Sequence, residues 1–238
     1  MAIYRPMKKI LIPIIALLIG AAAAYFLVPT KMDAIWRDWN AQSEEWEQAV
    51  YQVASSYEKD GTVATEEQGI WSNEKSFFQV SAAVSNDSFF TFDAHFEGDR
   101  LFVQSGDKWV QGTTSDRFVA EFAPLDNPFQ WMRDMLLEAE EVRKESEEDR
   151  TVYQAVFTEF DETDFRGYSL ERQEETTLTL TVTEDELLME FAAQPIRPDY
   201  LGPFSGYPQQ IGFELLLEKT DEQVPLVPEE AYDSEQLE

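Results

Sequence analysis

Between residues 62 and 112 the sequence is a series of short runs, rich in β-branched and aromatic residues, cut by SNEK, SND, EGDR and SGDK. Side chains of an extended chain alternate with period two. In residues 76–84 that places Phe78, Val80, Ala82 and Val84 on one face, and in residues 88–96 it does the same for Phe90, Phe92, Ala94 and Phe96. The separators have the composition of hairpin turns. Strands over 62–71, 76–84, 88–96, 101–104 and 109–112 therefore form an antiparallel meander.

The pattern returns in residues 151–158, 176–183, 186–193 and 209–218. TTLTLTVT puts Leu178, Leu180 and Val182 on one face and Thr177, Thr179, Thr181 and Thr183 on the other, and Ile211, Phe213, Leu215 and Leu217 repeat it. Such sheets have one wet face. DETD at 161–164 reads as a solvated loop, because it lacks the alternating spacing and trailing glutamate of a calcium loop. RPDYLGPFSGYP, residues 197–208, reads as a loop over an edge. Residues 221–238 are acidic, carry prolines and show little periodicity, so they read as a loosely held tail.

Two stretches have helical spacing. In residues 32–57 Met32, Trp36, Trp39, Trp46, Val50, Val53 and Tyr57 recur on steps of four and three, with Ser43 in the missing place, which predicts one long helix lying on the sheet and stopped by KDG at 59–61. The second begins at DNPFQW, where Asp126 or Asn127 caps and Pro128 fits the first turn. Phe129, Met132, Leu136 and Ala139 form its stripe, Trp131, Met135 and Val142 widen it, and its end dissolves into ESEEDR.

Residues 10–28, ILIPIIALLIGAAAAYFLV, hold no charge and would span roughly 28 Å as a helix, close to the hydrocarbon thickness of a bilayer. Arg5, Lys8 and Lys9 precede them and keep that end in the cytoplasm by the positive-inside tendency. Residues 1–31 then form a cytoplasmic stub and single-pass anchor, and residues 32–220 an extracellular α+β domain. A signal peptide cleaved near the alanines at 21–24 is the competing reading; the apolar run continuing through Tyr25 to Val28 favours the anchor.

All 47 acidic residues follow residue 31, and the net charge is −29. That field repels nucleic acid, whose binding needs a basic patch. The chain has no cysteine, which removes disulfides, thiolate metal sites and a lipidated cysteine. His95 is the one histidine, between Asp93 and Glu97 on the strand face opposite Phe92, Ala94 and Phe96, so it reads as solvated decoration. Neither a nucleophile motif nor several imidazoles accompany it, so no catalytic residue, metal or cofactor is implied. A hydrolase built on paired carboxylates ranks below a binding role.

RLFVQSGDKWVQ, then NPFQWMRDMLLEAEEV, then TVYQAVF, in an order of helix, meander, capped helix and further strands, resembles bacterial envelope proteins of the LolA/LppX-like half-barrel superfamily, including Gram-positive lipoproteins. The resemblance covers roughly residues 32–219. It implies a curved antiparallel sheet wrapped around helices, with a concave side that takes lipids or acyl chains, and it implies no binding residue position by position. The missing lipobox cysteine and the membrane segment argue against a diffusing carrier. The expected function is thus a non-enzymatic, membrane-anchored binding or sensing module for a lipid or other apolar ligand. Its expected lining is Phe78, Phe90, Phe92 and Phe96 from the sheet and Trp36, Trp39 and Trp46 from the helix. The alternative is an interaction or regulatory domain for a neighbouring envelope membrane protein, for which an exposed apolar patch is the mark.

Overall fold

The computed structural model describes residues 30–85, 88–113, 119–160, 164–202 and 205–236. The expected membrane segment, residues 10–28, lies outside them. Among the described residues no helix is long and apolar enough to cross a membrane.

Helix α1 is Lys31–Trp46. Thr30 caps it reciprocally: its hydroxyl accepts from the Asp33 N–H at 3.1 Å, and its own N–H donates to Asp33 Oδ2 at 2.7 Å. The meander follows as β1 Tyr51–Lys59, β2 Thr62–Trp71, β3 Lys75–Ser85, β4 Ser88–Glu97, β5 Arg100–Ser105 and β6 Lys108–Thr113. A 3-10 turn, Val119–Phe122, leads to α2, Pro128–Glu138, capped by the Asn127 side chain. The chain continues with β7 Glu141–Ser146, β8 Thr151–Glu159, β9 Asp164–Phe165, β10 Tyr168–Ser169, β11 Arg172–Val182, β12 Glu186–Pro195 and β13 Ile211–Lys219. A second 3-10 turn, Glu229–Asp233, precedes β14, Glu235–Gln236.

Among the described residues twelve strands form one open sheet in the order β14-β6-β5-β4-β3-β2-β1-β13-β12-β11-β8-β7, and β9 and β10 pair separately. Every pairing in the large sheet is antiparallel except β14 with β6. The curved sheet turns one face toward α1 and α2, so the architecture is an α+β half-barrel with unjoined edges rather than a closed barrel. β1 and β13 join the two meanders at its centre, in register from Tyr51 opposite Lys219 to Lys59 opposite Ile211. Alternation decides the core: Leu178, Leu180, Val182, Ile211, Leu215 and Leu217 are buried, as are Phe78, Val80, Ala94 and Phe96.

Four expectations are corrected. The first helix ends at Trp46, and Val53 and Tyr57 lie on β1, where Tyr51, Val53, Ser55 and Tyr57 face inward with period two. KDG is then a hairpin turn: Asp60 and Gly61 take φ of 51° and 73°, the left-handed pair that matches strand twist. Helix α2 ends at Glu138, and Val142 is the inward residue of edge strand β7. The acidic C-terminal segment is ordered through residue 236. Val224 and Ala231 are buried, and the Gln111 amide donates to the Ser234 carbonyl at 2.8 Å, alongside the short pairing of β14 with β6.

Candidate functional site

Four phenylalanines of the expected lining form one aromatic run, joined by Phe122 of the 3-10 turn. Ring centroids step from Phe90 to Phe92 at 5.6 Å, from Phe92 to Phe122 at 6.0 Å, from Phe122 to Phe96 at 6.1 Å and from Phe96 to Phe78 at 6.1 Å. Exposure falls along it, from 48% at Phe90 through partly buried Phe92 to 4% at Phe96 and 0% at Phe78. The run thus connects solvent to the inner face of the sheet. Its outer end is the tip of the β3–β4 hairpin, where Val84 and Phe89 are also exposed, contrary to the core face expected for Val84. Among the described residues, β4 pairs with β5 only from Asp93 onward, so Ser88 to Phe92 hydrogen-bond to β3 on one edge alone.

The three tryptophans stand in other surroundings. Trp39 is fully buried, edge-on to Tyr153 at 5.3 Å, and Trp36 is half-buried beside the core. Trp46 stacks on Tyr51 at 5.8 Å, with the Lys219 ammonium 4.3 Å from its ring, and Tyr51 continues to Trp71 and Phe129. These rings fix α1 and α2 to the sheet. They fill one another's space and do not join the graded run.

Sequence reasoning missed a third cluster. The β9–β10 hairpin, DFRGYS, turns at Arg166 and Gly167, both left-handed with φ of 48° and 82°. It drives Phe165 under the sheet, where the ring meets Tyr57, Trp131, Phe191 and Phe213 at 5.0 to 6.0 Å. Arg166 follows Phe165 inward: its Nε donates to the Ala123 carbonyl, and its Nη1 donates to Thr65 Oγ1 and Glu67 Oε1, each at 2.8 Å. Glu67 also accepts from Ser55 and Thr65 at 2.6 and 2.7 Å. Burial pushes the Tyr57 hydroxyl well above the ordinary tyrosine range, so it remains a neutral donor. The signal available in the sequence was the F-R-G-Y punctuation, a two-residue turn between aromatics.

His95 is corrected too. It does face away from Phe96, but that face is covered: the imidazole lies 4.7 Å from the Phe77 ring and 5.6 Å from Trp109 and is 5% exposed. Burial holds its pKa below the ordinary histidine value. Nearby, Tyr232 of the C-terminal segment packs edge-on against fully buried Phe102 at 4.9 Å. Among the described residues the imidazole Nδ1 has no hydrogen-bond partner, and no three His, Cys, Asp or Glu side chains converge as metal ligands. An open groove of about 490 Å³ on the outer face has Glu58, Glu190 and Glu214 on its walls, with Phe191 and Phe213 beside them.

No protein-family model matches the sequence, and no curated protein matches it. Solved structures do. The chain is similar to LprF from Mycobacterium bovis, with 7% identity over 81% of this chain and 97% of that one and a TM-score of 0.45. It is also similar to a LolA superfamily protein from Nitrosomonas europaea, with 15% identity over 82% and 95% of the two chains and a TM-score of 0.31.

Proposed function

We propose that the domain is a non-enzymatic binding module that takes an apolar ligand, such as an acyl chain, along the run from Phe90 to Phe78. The observation that carries this reading is the graded exposure of that run, an unbroken aromatic path from an exposed hairpin tip to the inner face. Exposed aromatic surface at the mouth of a concave face favours an apolar guest, because binding removes that surface from water. The apolar span of residues 10–28 would hold the module on the outer side of a membrane, within reach of lipids.

Native mass spectrometry of the full chain, released from detergent before and after organic extraction, tests the proposal. Adducts of apolar mass that vanish on extraction are expected. A bare chain in both spectra, together with no uptake of a lipophilic fluorophore, would refute it.

A second reading has its own support. The edge of residues 88–92, unpaired among the described residues, and the exposed Val84, Phe89 and Phe90 suit strand addition by a neighbouring protein. Crosslinking from the hairpin tip that captures a protein partner, with no extractable ligand, would favour it.

A further inference from the structure

We infer that the polar island around Arg166 receives an anionic oxygen group, a carboxylate or phosphate, at the head of the ligand held by the concave face; this rests on the apolar-ligand reading above.

Arginine is a costly choice for this turn position. A left-handed conformation disfavours any residue with a Cβ, and here the side chain is also drawn out of water to 2% exposure. Of its five donors three are used, on Ala123, Thr65 and Glu67. Nη2 is buried and has no hydrogen-bond partner among the described residues. The Tyr57 hydroxyl is likewise buried and without a partner among the described residues, and its ring lies 5.0 Å from the Arg166 guanidinium carbon. Two neighbouring groups, both donors, are therefore unsatisfied in one place.

The charges agree. Among the described residues Glu67 is the island's buried carboxylate, and it already accepts from Ser55, Thr65 and Arg166. Lys59, two residues beyond Tyr57 on the same inward face, forms no ion pair among the described residues; its ammonium meets the Tyr57 and Tyr168 rings at 5.9 and 5.6 Å and the Tyr168 hydroxyl at 3.4 Å. Nearby Asp60 is exposed and occupied with the Gln209 and Gln210 N–H groups. Among the described residues two cations thus face one buried carboxylate that is already bonded three times.

Register joins the island to the aromatic run. Tyr57, Thr65, Ala82 and Phe90 lie opposite one another on successive strands, and Ser55, Glu67, Val80 and Phe92 form the next row. Thr65 and Glu67, which hold Arg166, are two strand spacings from Phe90 and Phe92, roughly 10 Å. An amphiphile with its acid on Arg166 Nη2 and Tyr57 Oη has its tail directed across β3 onto the phenylalanines. An Arg–anion contact in surroundings this dry is charge-assisted and selective.

The test compares dodecanoate, dodecanol and inorganic phosphate on the full chain in non-ionic detergent, by calorimetry, for the native sequence and for Tyr57→Phe and Lys59→Met. Both substitutions leave the Arg166–Glu67 pair in place, and Tyr57→Phe removes a hydroxyl with no partner, so the fold is expected to persist. Dodecanoate is expected to bind at least 10-fold tighter than dodecanol, and each substitution to weaken dodecanoate about 5-fold while leaving dodecanol unchanged. Saturable phosphate binding that is weakened by the same substitutions supports the anion site with a free anion as its ligand. Equal affinity for acid and alcohol overturns the anion site and leaves the apolar reading standing. Failure of all three to bind overturns both.

Discussion

Arg166 Nη1 lies 2.8 Å from Glu67 Oε1, and the two side chains expose 2% and 1% of their surface. Removing one member of such a pair leaves a buried charge uncompensated, which costs about 3–5 kcal/mol. Glu67→Gln is therefore expected to lower unfolding free energy by that amount in urea titration. The double variant Glu67→Gln/Arg166→Met is expected to recover part of the loss, because no lone cation remains. A Glu67→Gln cost below about 1 kcal/mol would mean that water reaches the pair.

His95 predicts a pH dependence. Its folded pKa is held below the ordinary value by burial, against the opposing charge of Asp93. The unfolded chain therefore takes up the proton first as pH falls. The stability from the neutral imidazole is complete above about pH 6.5 and declines as pH drops from there through the folded pKa. Urea midpoints between pH 8 and pH 5 should fall more steeply for the native chain than for His95→Phe, which keeps the contacts with Phe77 and Trp109 but cannot be charged. Parallel curves would exclude this account.

Gly69 on β2 lies so close to β3 that an added Cβ would sit 1.8 Å from the Phe77 carbonyl oxygen. Backbone cannot yield as a flexible side chain does. Gly69→Ala is expected to cost about 3 kcal/mol or more, at or beyond the upper end of ordinary overpacking, read as a lowered thermal midpoint. Its neighbour Gln68, which is exposed, should accept alanine within about 0.5 kcal/mol.

The strands were legible where one face is uniformly apolar and turn residues punctuate the run, as in TTLTLTVT or at Gly98 and Gly106, whose φ is 60° in both. Residues 50–57 misled because Val53 and Tyr57 fit both a period of 3.5 and a period of two. The residue that would have decided, Ser55, is polar yet inward, since it bonds to Glu67. No local pattern shows such a partner. Arg166 was hidden for the same reason at longer range, its carboxylate lying 99 residues away and its strands being two residues each. For His95 alternation chose the right face, but it does not say what covers that face. Of the expected lining, the phenylalanines share the inward face of β3 and β4, and Phe122 of the 3-10 turn bridges Phe92 to Phe96 to make the run contiguous. The tryptophans shared apolarity with it and not position.

Phe78 and Phe90 separate stability from binding along one run. Phe78 is fully buried, so Phe78→Ala leaves a cavity and is expected to cost about 3–5 kcal/mol in urea titration. Phe90 is 48% exposed, and Phe90→Ala should change stability by no more than about 0.5 kcal/mol. If the run is a ligand path, Phe90→Ala nonetheless lowers uptake of a lipophilic fluorophore several-fold, since truncation removes apolar contact area worth about 25 cal/mol per Å² at its mouth. Phe89, whose side chain alternates to the opposite face of the same strand, is the control: Phe89→Ala should leave uptake unchanged. Equal losses from Phe89→Ala and Phe90→Ala would assign the effect to the hairpin tip as a sticky surface and not to the path inward.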